Sequence, residues 1–518
     1  MKYLLTIIAL FFWQQNYSQP IQTNRYELEE KNNDDYVNIL PVDDEGIILF
    51  RDTKDYDDGD LWNLIALDTA LIEKWNIELA IDSRYVFKAY EVVDSKLFLL
   101  FRKGEYEKKD YHLMVITFKD ASIERYDIEN EISLELSHMS VLSTGLVLAG
   151  YINFSPALVL YPFGAKSFEV VPGYFKDRST IVDLRDNGNS TFNAITLEND
   201  YEGNYLRLRT YSNDGELLFE REIKTKENTK ILTAKSSGFT DGNLVIGGTY
   251  GLKKSSYASG YYVCVVKPEG QDNIFKYHNF YELNHFFDYM NPKRAERLRN
   301  KMESKSLKGK EVNFTTRILF NGVQSTENGY LFLSELYNPN YTNSSFMNNG
   351  FLTRDDELRR RALASQNYAR QPSRLQNVQG ADSFEYKETI LFEVNKTGDL
   401  LWDNSMKIED LEKRELTQVV QVSERNESIS MLYKGEDELH YKIIQGSEVI
   451  EENNIKPATD DEFDKILNTV KGIGETFFWY ESYFIVWGYQ KIENKVRAAK
   501  EEIEKNRYVL YVDKINVL

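Results

Sequence analysis

The sequence predicts an all-β chain: a single eight-bladed (alternatively seven-bladed) β-propeller, closed by an N-terminal strand and carrying helical or disordered loop insertions on one face. Three observations predict it. The chain holds 35 Tyr and 29 Phe, side chains that pack well on a pleated surface. A phrase of four short strands recurs along it. An alternating segment near the N-terminus, Arg25-Tyr-Glu-Leu-Glu-Glu30, supplies the one strand that the last copy lacks.

In order along the chain, residues 1–19 read as a secretory signal peptide. Lys2 gives a positive start, Tyr3 to Trp13 form an apolar run of 11 residues, and Ser18 is a small residue before a cut. The run is short of the about 20 residues that span a bilayer, and no later segment is longer. A lipid anchor would need a cysteine just after it, and none stands there. Residues 20–518 are therefore expected as one exported propeller, periplasmic or extracellular, with neither a lipid anchor nor an integral membrane segment.

The repeats follow. Strands are expected at 36–42, 46–51, 61–67 and 71–79, then at 85–92, 96–102, 111–118 and 122–128. The third unit takes 134–141, 145–152, 157–161 and 167–171, and the fourth 180–184, 191–197, 205–211 and 216–223. The fifth takes 230–234, 243–250, 260–266 and 273–278, and the sixth 314–320, 329–336, 388–394 and 399–408. The seventh takes 416–422, 428–433, 439–444 and 448–453. The last runs from 466 to 515 and stops one strand short. A repeat of about 45 residues matches four short strands with tight turns. Pairing of 25–30 with the last unit would close the ring and remove its open sheet edges.

The turn between third and fourth strands carries a resemblance. Phe392-Glu-Val-Asn-Lys-Thr-Gly-Asp-Leu-Leu-Trp402 resembles the quinoprotein (PQQ-type) propeller repeat, with partial copies at Leu67-Asp68 with Trp75 and at Tyr211-Ser-Asn-Asp-Gly215 with Phe219. Gly398 and Gly215 would supply the positive φ of a tight hairpin. The resemblance implies the fold and not an activity; the single cysteine and the Ser18-Gln19 junction look like exported proteins of Gram-negative bacteria, so a secreted, non-enzymatic member is expected. The cofactor and calcium sites of quinone-dependent relatives do not map onto this sequence residue by residue and are not carried over, so no cofactor is expected.

Long insertions fall at 279–312, 338–386 and 490–506, all at connections that leave one face. The first is basic: Lys293–Lys310 carries eight Lys/Arg and two Glu, a balance of +6, with a helix start at Asn291-Pro292. The second carries six Arg and three acids between Arg354 and Arg374, with a capping box at Thr353 and Asp356. The third places Ile492, Val496, Ala499 and Ile503 on one stripe of an amphipathic helix. The chain as a whole is −19. Arg294, Arg297, Arg299, Lys301, Arg359, Arg360 and Arg361 are thus the candidate docking residues for an acidic protein partner or an outer-membrane complex. The same net charge argues against nucleic acid.

Catalytic signatures are sparse. None of the five histidines is paired at metal-ligand spacing, and no nucleophile elbow occurs. Asp55, Asp57, Asp58 and Asp60 resemble a calcium loop, but Gly59 falls at the fifth place rather than the sixth and Ala66 stands where the closing Glu would be, so they read as an acidic hairpin tip. Gly247-Gly248 reads as relief of crowding near the axis. Cys264 reads as a buried strand residue. The expectation is a non-catalytic binding or scaffolding propeller, possible roles being an outer-membrane assembly or secretion-channel component. The alternatives are a hydrolase or lyase using the central funnel and an extracellular carbohydrate-binding module.

Overall fold

The computed structural model describes residues 20–517, apart from 31–35, 56–58, 83, 105–108, 174–175, 177–178, 201–202, 240–242, 268–270, 309, 311–313, 342–380, 426, 472 and 501–503. The signal-peptide residues 1–19 lie outside the described residues.

Eight small antiparallel sheets follow one another around a ring. The chain is an eight-bladed β-propeller, which removes the seven-bladed alternative. Each blade runs from an inner strand to an outer one, as in blade four: Thr180–Asp186, Thr191–Asn199, Asn204–Ser212 and Leu217–Lys224. The middle strands are apolar on both faces because each lies between two other blades. Leu244–Leu252 and Ala258–Val266 of blade five are buried along nearly their whole length, Cys264 included. Burial pushes the Cys264 thiol up to about 12.

The core is divided among the blade interfaces. Leu64 meets Phe87 between blades one and two. Leu100 and Leu146 join two to three, Val147 and Leu184 three to four, and Ile195 and Ile246 four to five. Val263 and Phe332 join five to six, Leu391 and Met431 six to seven, and Leu432 and Val486 seven to eight. Leu49 and Trp487 complete the circle between one and eight. Gly247 shows how tight this is. A β-carbon there would lie 2.2 Å from the Phe332 ring of the next blade.

Carboxylates staple neighbouring blades near the axis. Glu91 of blade two accepts from Val141 N at 2.7 Å in blade three. Asp183 of blade four accepts from Ser236 N at 2.9 Å in blade five. Glu335 of blade six accepts from Val419 N and Val420 N at 3.0 and 2.8 Å, on the way into blade seven.

The N-terminal strand closes the ring as expected. Ile21–Glu30 pairs antiparallel with the third strand of blade eight, Asn506–Asn516, from Ile21↔Asn516 to Glu30↔Tyr508. Arg25 is the centre of this seam. Its guanidinium reaches Asp513 at 3.0 and 3.2 Å, Gln490 at 2.7 Å and Glu27 at 2.7 Å, and lies 4.7 Å from the centre of the Tyr511 ring.

The turn motif is built as its residues require. Asn395 Oδ1 accepts from the N–H groups of Thr397 and Asp399, both at 2.9 Å, and Gly398 has φ +84°. Trp402 Nε1 donates to Glu393 at 2.6 Å, and Trp75 Nε1 to the Phe118 carbonyl of the next blade at 2.7 Å.

Several strands differ from expectation, mostly inner ones. The inner strand of blade five is two pieces, Thr229–Ile231 and Lys235–Ser236. That of blade six is Arg317–Ser325, and that of blade seven Gln421–Arg425, each later than expected. In blade eight the inner position is shared by Lys465–Thr469 and Thr476–Tyr480. The outer strand of blade three shrinks to Glu169–Val170. Inner strands pair on one side only and turn polar residues to the axis. Five of them also contain a register shift, as at Phe87/Ala89, Leu136/His138 and Phe320/Gly322. A bulge breaks the period of two on which sequence reading depends.

Candidate functional site

Connections between second and third strands, and between one blade's outer strand and the next blade's inner strand, leave the same end of the ring. All three insertions are of these kinds. The second is shorter than its expected bounds, because its flanking strands run on to Gly329–Asn340 and Ser383–Asn395. Arg359, Arg360, Arg361 and the capping box at Thr353 lie outside the described residues. Among its described residues the third insertion contains a one-turn helix, Lys495–Ala498. Ile492 belongs to the strand Tyr483–Glu493 and is fully buried there, while Val496 is exposed, so the expected amphipathic stripe is not formed by these two. Ile503 lies outside the described residues. The acidic tip after Asp55 falls partly outside them too; Asp55 itself pairs with Gly59 in the hairpin.

The first insertion is a packed structure. Phe280, Leu283, Phe286 and Phe287 are buried, and the Phe280 and Phe286 rings stack at 4.1 Å. Asp403 of blade six pins it by accepting from Asn284 N at 3.0 Å and His285 N at 2.7 Å. A helix follows over Pro292–Ser306, with Asn291 capping it by accepting from Lys293 N at 3.1 Å. Arg299 faces inward. Its guanidinium donates to the carbonyls of Tyr281, Leu283 and Asn284 at 3.1, 2.6 and 2.7 Å and lies over the Phe287 ring. It ties the helix to the turn beneath it. Arg294, Arg297 and Lys301 face the other way.

These three line a cleft of about 960 Å³ between the helix and the outer part of blade six. Its far wall brings Lys387, Lys407, Glu385, Glu409 and Asp410. The wall charges are largely matched, Lys387 with Glu385 and Lys407 with Glu409 at 2.8 Å. Arg294, Arg297 and Lys301 have no ion-pair partner among the described residues. Burial raises the Tyr289 hydroxyl at the floor above its ordinary value, so it stays a neutral donor.

A second cleft of about 540 Å³ opens on the same face, over blades four, five and six. Lys230, Lys253 and Arg317 line it with Asp200, beside Thr233 and Thr249. Sequence reading missed this group because its members come from three blades. No local signal links them.

The histidines are dispersed. His112 meets Asp127 at 2.6 Å, His285 meets Asp288 at 2.7 Å, and His278 donates to the Gly398 carbonyl at 2.9 Å. His138 lies near the axis beside Lys235, and burial lowers it to about 4. Among the described residues no three His, Cys, Asp or Glu side chains gather as a metal site. None of the described helices is long and apolar enough to cross a membrane.

No family model matches the chain, and no curated protein does. Solved structures are similar over most of their length. The chain is similar to polysaccharide lyase Uly1 at 10% identity, covering 93% of this chain and 99% of that one, with a TM-score of 0.42. It is similar to the β-propeller domain of the Trilobed protease from Pyrococcus furiosus at 8% identity, covering 85% and 97%, with a TM-score of 0.35. The β-propeller domain of Vanderwaltozyma polyspora Nup133 shares 9%, covering 82% and 99%, with a TM-score of 0.37. At such identities the likeness concerns the fold alone. The quinoprotein-type resemblance rests on its turn residues and gains nothing from these matches.

Proposed function

We propose that the chain is an exported, non-catalytic binding propeller whose elaborated face docks an acidic protein partner. One observation carries the reading: Arg294, Arg297 and Lys301 line a cleft without an ion-pair partner among the described residues, on a chain whose net charge is −19. On a molecule this acidic, a basic concavity favours acidic partners. The packed insertion supports the reading, since its helix is pinned by Asp403 and Arg299 and presents the cations in fixed positions. Export rests on the apolar leader alone.

The test is affinity purification from detergent-solubilised membranes with the wild type and with an Arg294→Glu, Arg297→Glu, Lys301→Glu variant. The expected result is a stoichiometric acidic partner on the wild type, weakened by salt and lost from the variant. Recovery of wild-type monomer alone, or equal recovery on both, overturns the reading.

A further inference from the structure

The two clefts meet. Thr316 lines both, and Arg317 and Tyr337 of the smaller one adjoin Thr316 and Asn338 of the larger in the chain. Building on the docking reading of the larger cleft, we infer that the two form a single groove that receives an extended acidic segment of the partner protein.

Shape and charge both point this way. The cations line concavities, and a flat acidic face of a folded domain would not reach them, whereas an extended chain would. The smaller cleft repeats the charge bias of the larger, with Lys230, Lys253 and Arg317 against Asp200.

The apolar lining favours a peptide over an acidic glycan. Partly exposed aliphatic side chains sit among the cations: Met290 and Leu298 in one cleft, Leu232 in the other. These suit the side chains of a peptide, and Met adapts to several. Glycans favour open aromatic faces. Tyr337, Tyr386 and Phe314 are instead buried, Tyr289 is half-buried at the floor with its ring packed on the core, and Tyr257 has the Arg317 guanidinium over its ring at 5.7 Å. The chain's own 342–380 segment is a poor occupant, since it carries six Arg against three acids.

Fluorescence anisotropy on the full chain tests the inference. The probes are a labelled Glu/Ser/Leu peptide of roughly 15 residues, long enough to cross both clefts, one of roughly 5 residues, the Lys counterpart of the longer, and an oligogalacturonate of equal charge. The longer acidic peptide is expected to bind best and to weaken with salt. Arg294→Glu with Lys301→Glu should weaken both acidic peptides about tenfold, and Lys230→Glu with Arg317→Glu should weaken only the longer one by a similar factor. Melting curves check that the variants fold, and the salt dependence of the wild type stands without them.

If Lys230→Glu with Arg317→Glu leaves the longer peptide unaffected while the first pair abolishes binding, the single groove is overturned and the docking reading stands. Tighter binding of the glycan or the Lys peptide, or no binding of the long acidic peptide at about 1 mM, overturns the inference. The membrane purification then decides the docking reading separately.

Discussion

Glu91 lies on the inner strand of blade two with its carboxyl turned toward blade three. Burial outweighs the single hydrogen bond from Val141 and raises this carboxyl from 4.5 to about 8. The unfolded group has therefore lost its proton between those values while the folded one retains it. Stability at this position falls as pH rises through that window. Glu91→Gln keeps the acceptor for Val141 and removes the titration. The variant should match the wild type near about pH 4.5 and exceed it by on the order of 2 kcal/mol near about pH 9, read from urea midpoints. A wild type equally stable at both values would refute the protonated carboxyl. Residues of this kind were not legible in the sequence, because an acid on an alternating strand reads as a solvated face. Asn395, Gly398 and Trp402 were legible, because their chemistry is local to one hairpin.

At the scale of the element, the insertion helix depends on one side chain from another strand. Asp403 is almost fully buried, and its two oxygens hold the N–H groups of Asn284 and His285. Asp403→Ala leaves both donors unpaired, a loss of about 1–3 kcal/mol. Amide exchange over 280–306 should quicken at least tenfold, with affinity for the acidic peptide falling in parallel and the blades unchanged in circular dichroism. Unchanged exchange would mean that Phe280, Phe286 and Phe287 hold the insertion unaided. The start of this helix was legible from Asn291-Pro292, and its basic face from the charge count. The inward turn of Arg299 was not, since it depends on three carbonyls in the preceding turn. Middle strands were read almost residue by residue from their apolar runs. The inner strands of blades five to eight were misplaced because axis-facing polar residues interrupt their apolar pattern, with a bulge adding to this in blades six and eight.

For the whole molecule, the count of eight came from reading the period through the insertions and from finding the absent strand at the opposite end. The seam it predicted holds a buried ion pair. Arg25 and Asp513 are both without side-chain exposure and face each other at 3.0 Å. Burial already raises Asp513 to about 7, so Arg25→Ala would leave it a buried, protonated carboxyl without the guanidinium, and on the order of 3 kcal/mol of stability should go with it. Urea unfolding with light scattering checks this, since an opened blade eight exposes a sheet edge and should self-associate. A monomeric variant of unchanged midpoint would show that the backbone ladder alone suffices.

Because Ile21 and Asn516 are partners in that ladder, the two ends of the folded chain emerge side by side. They do so at the rim away from the clefts, since a third strand finishes and a fourth begins on that side. Whatever is joined to either end, a tether, a fused domain or a solid support, therefore holds the ring from behind. The basic groove is left facing out, so immobilisation through either terminus should present it unobstructed to whatever is passed over the surface.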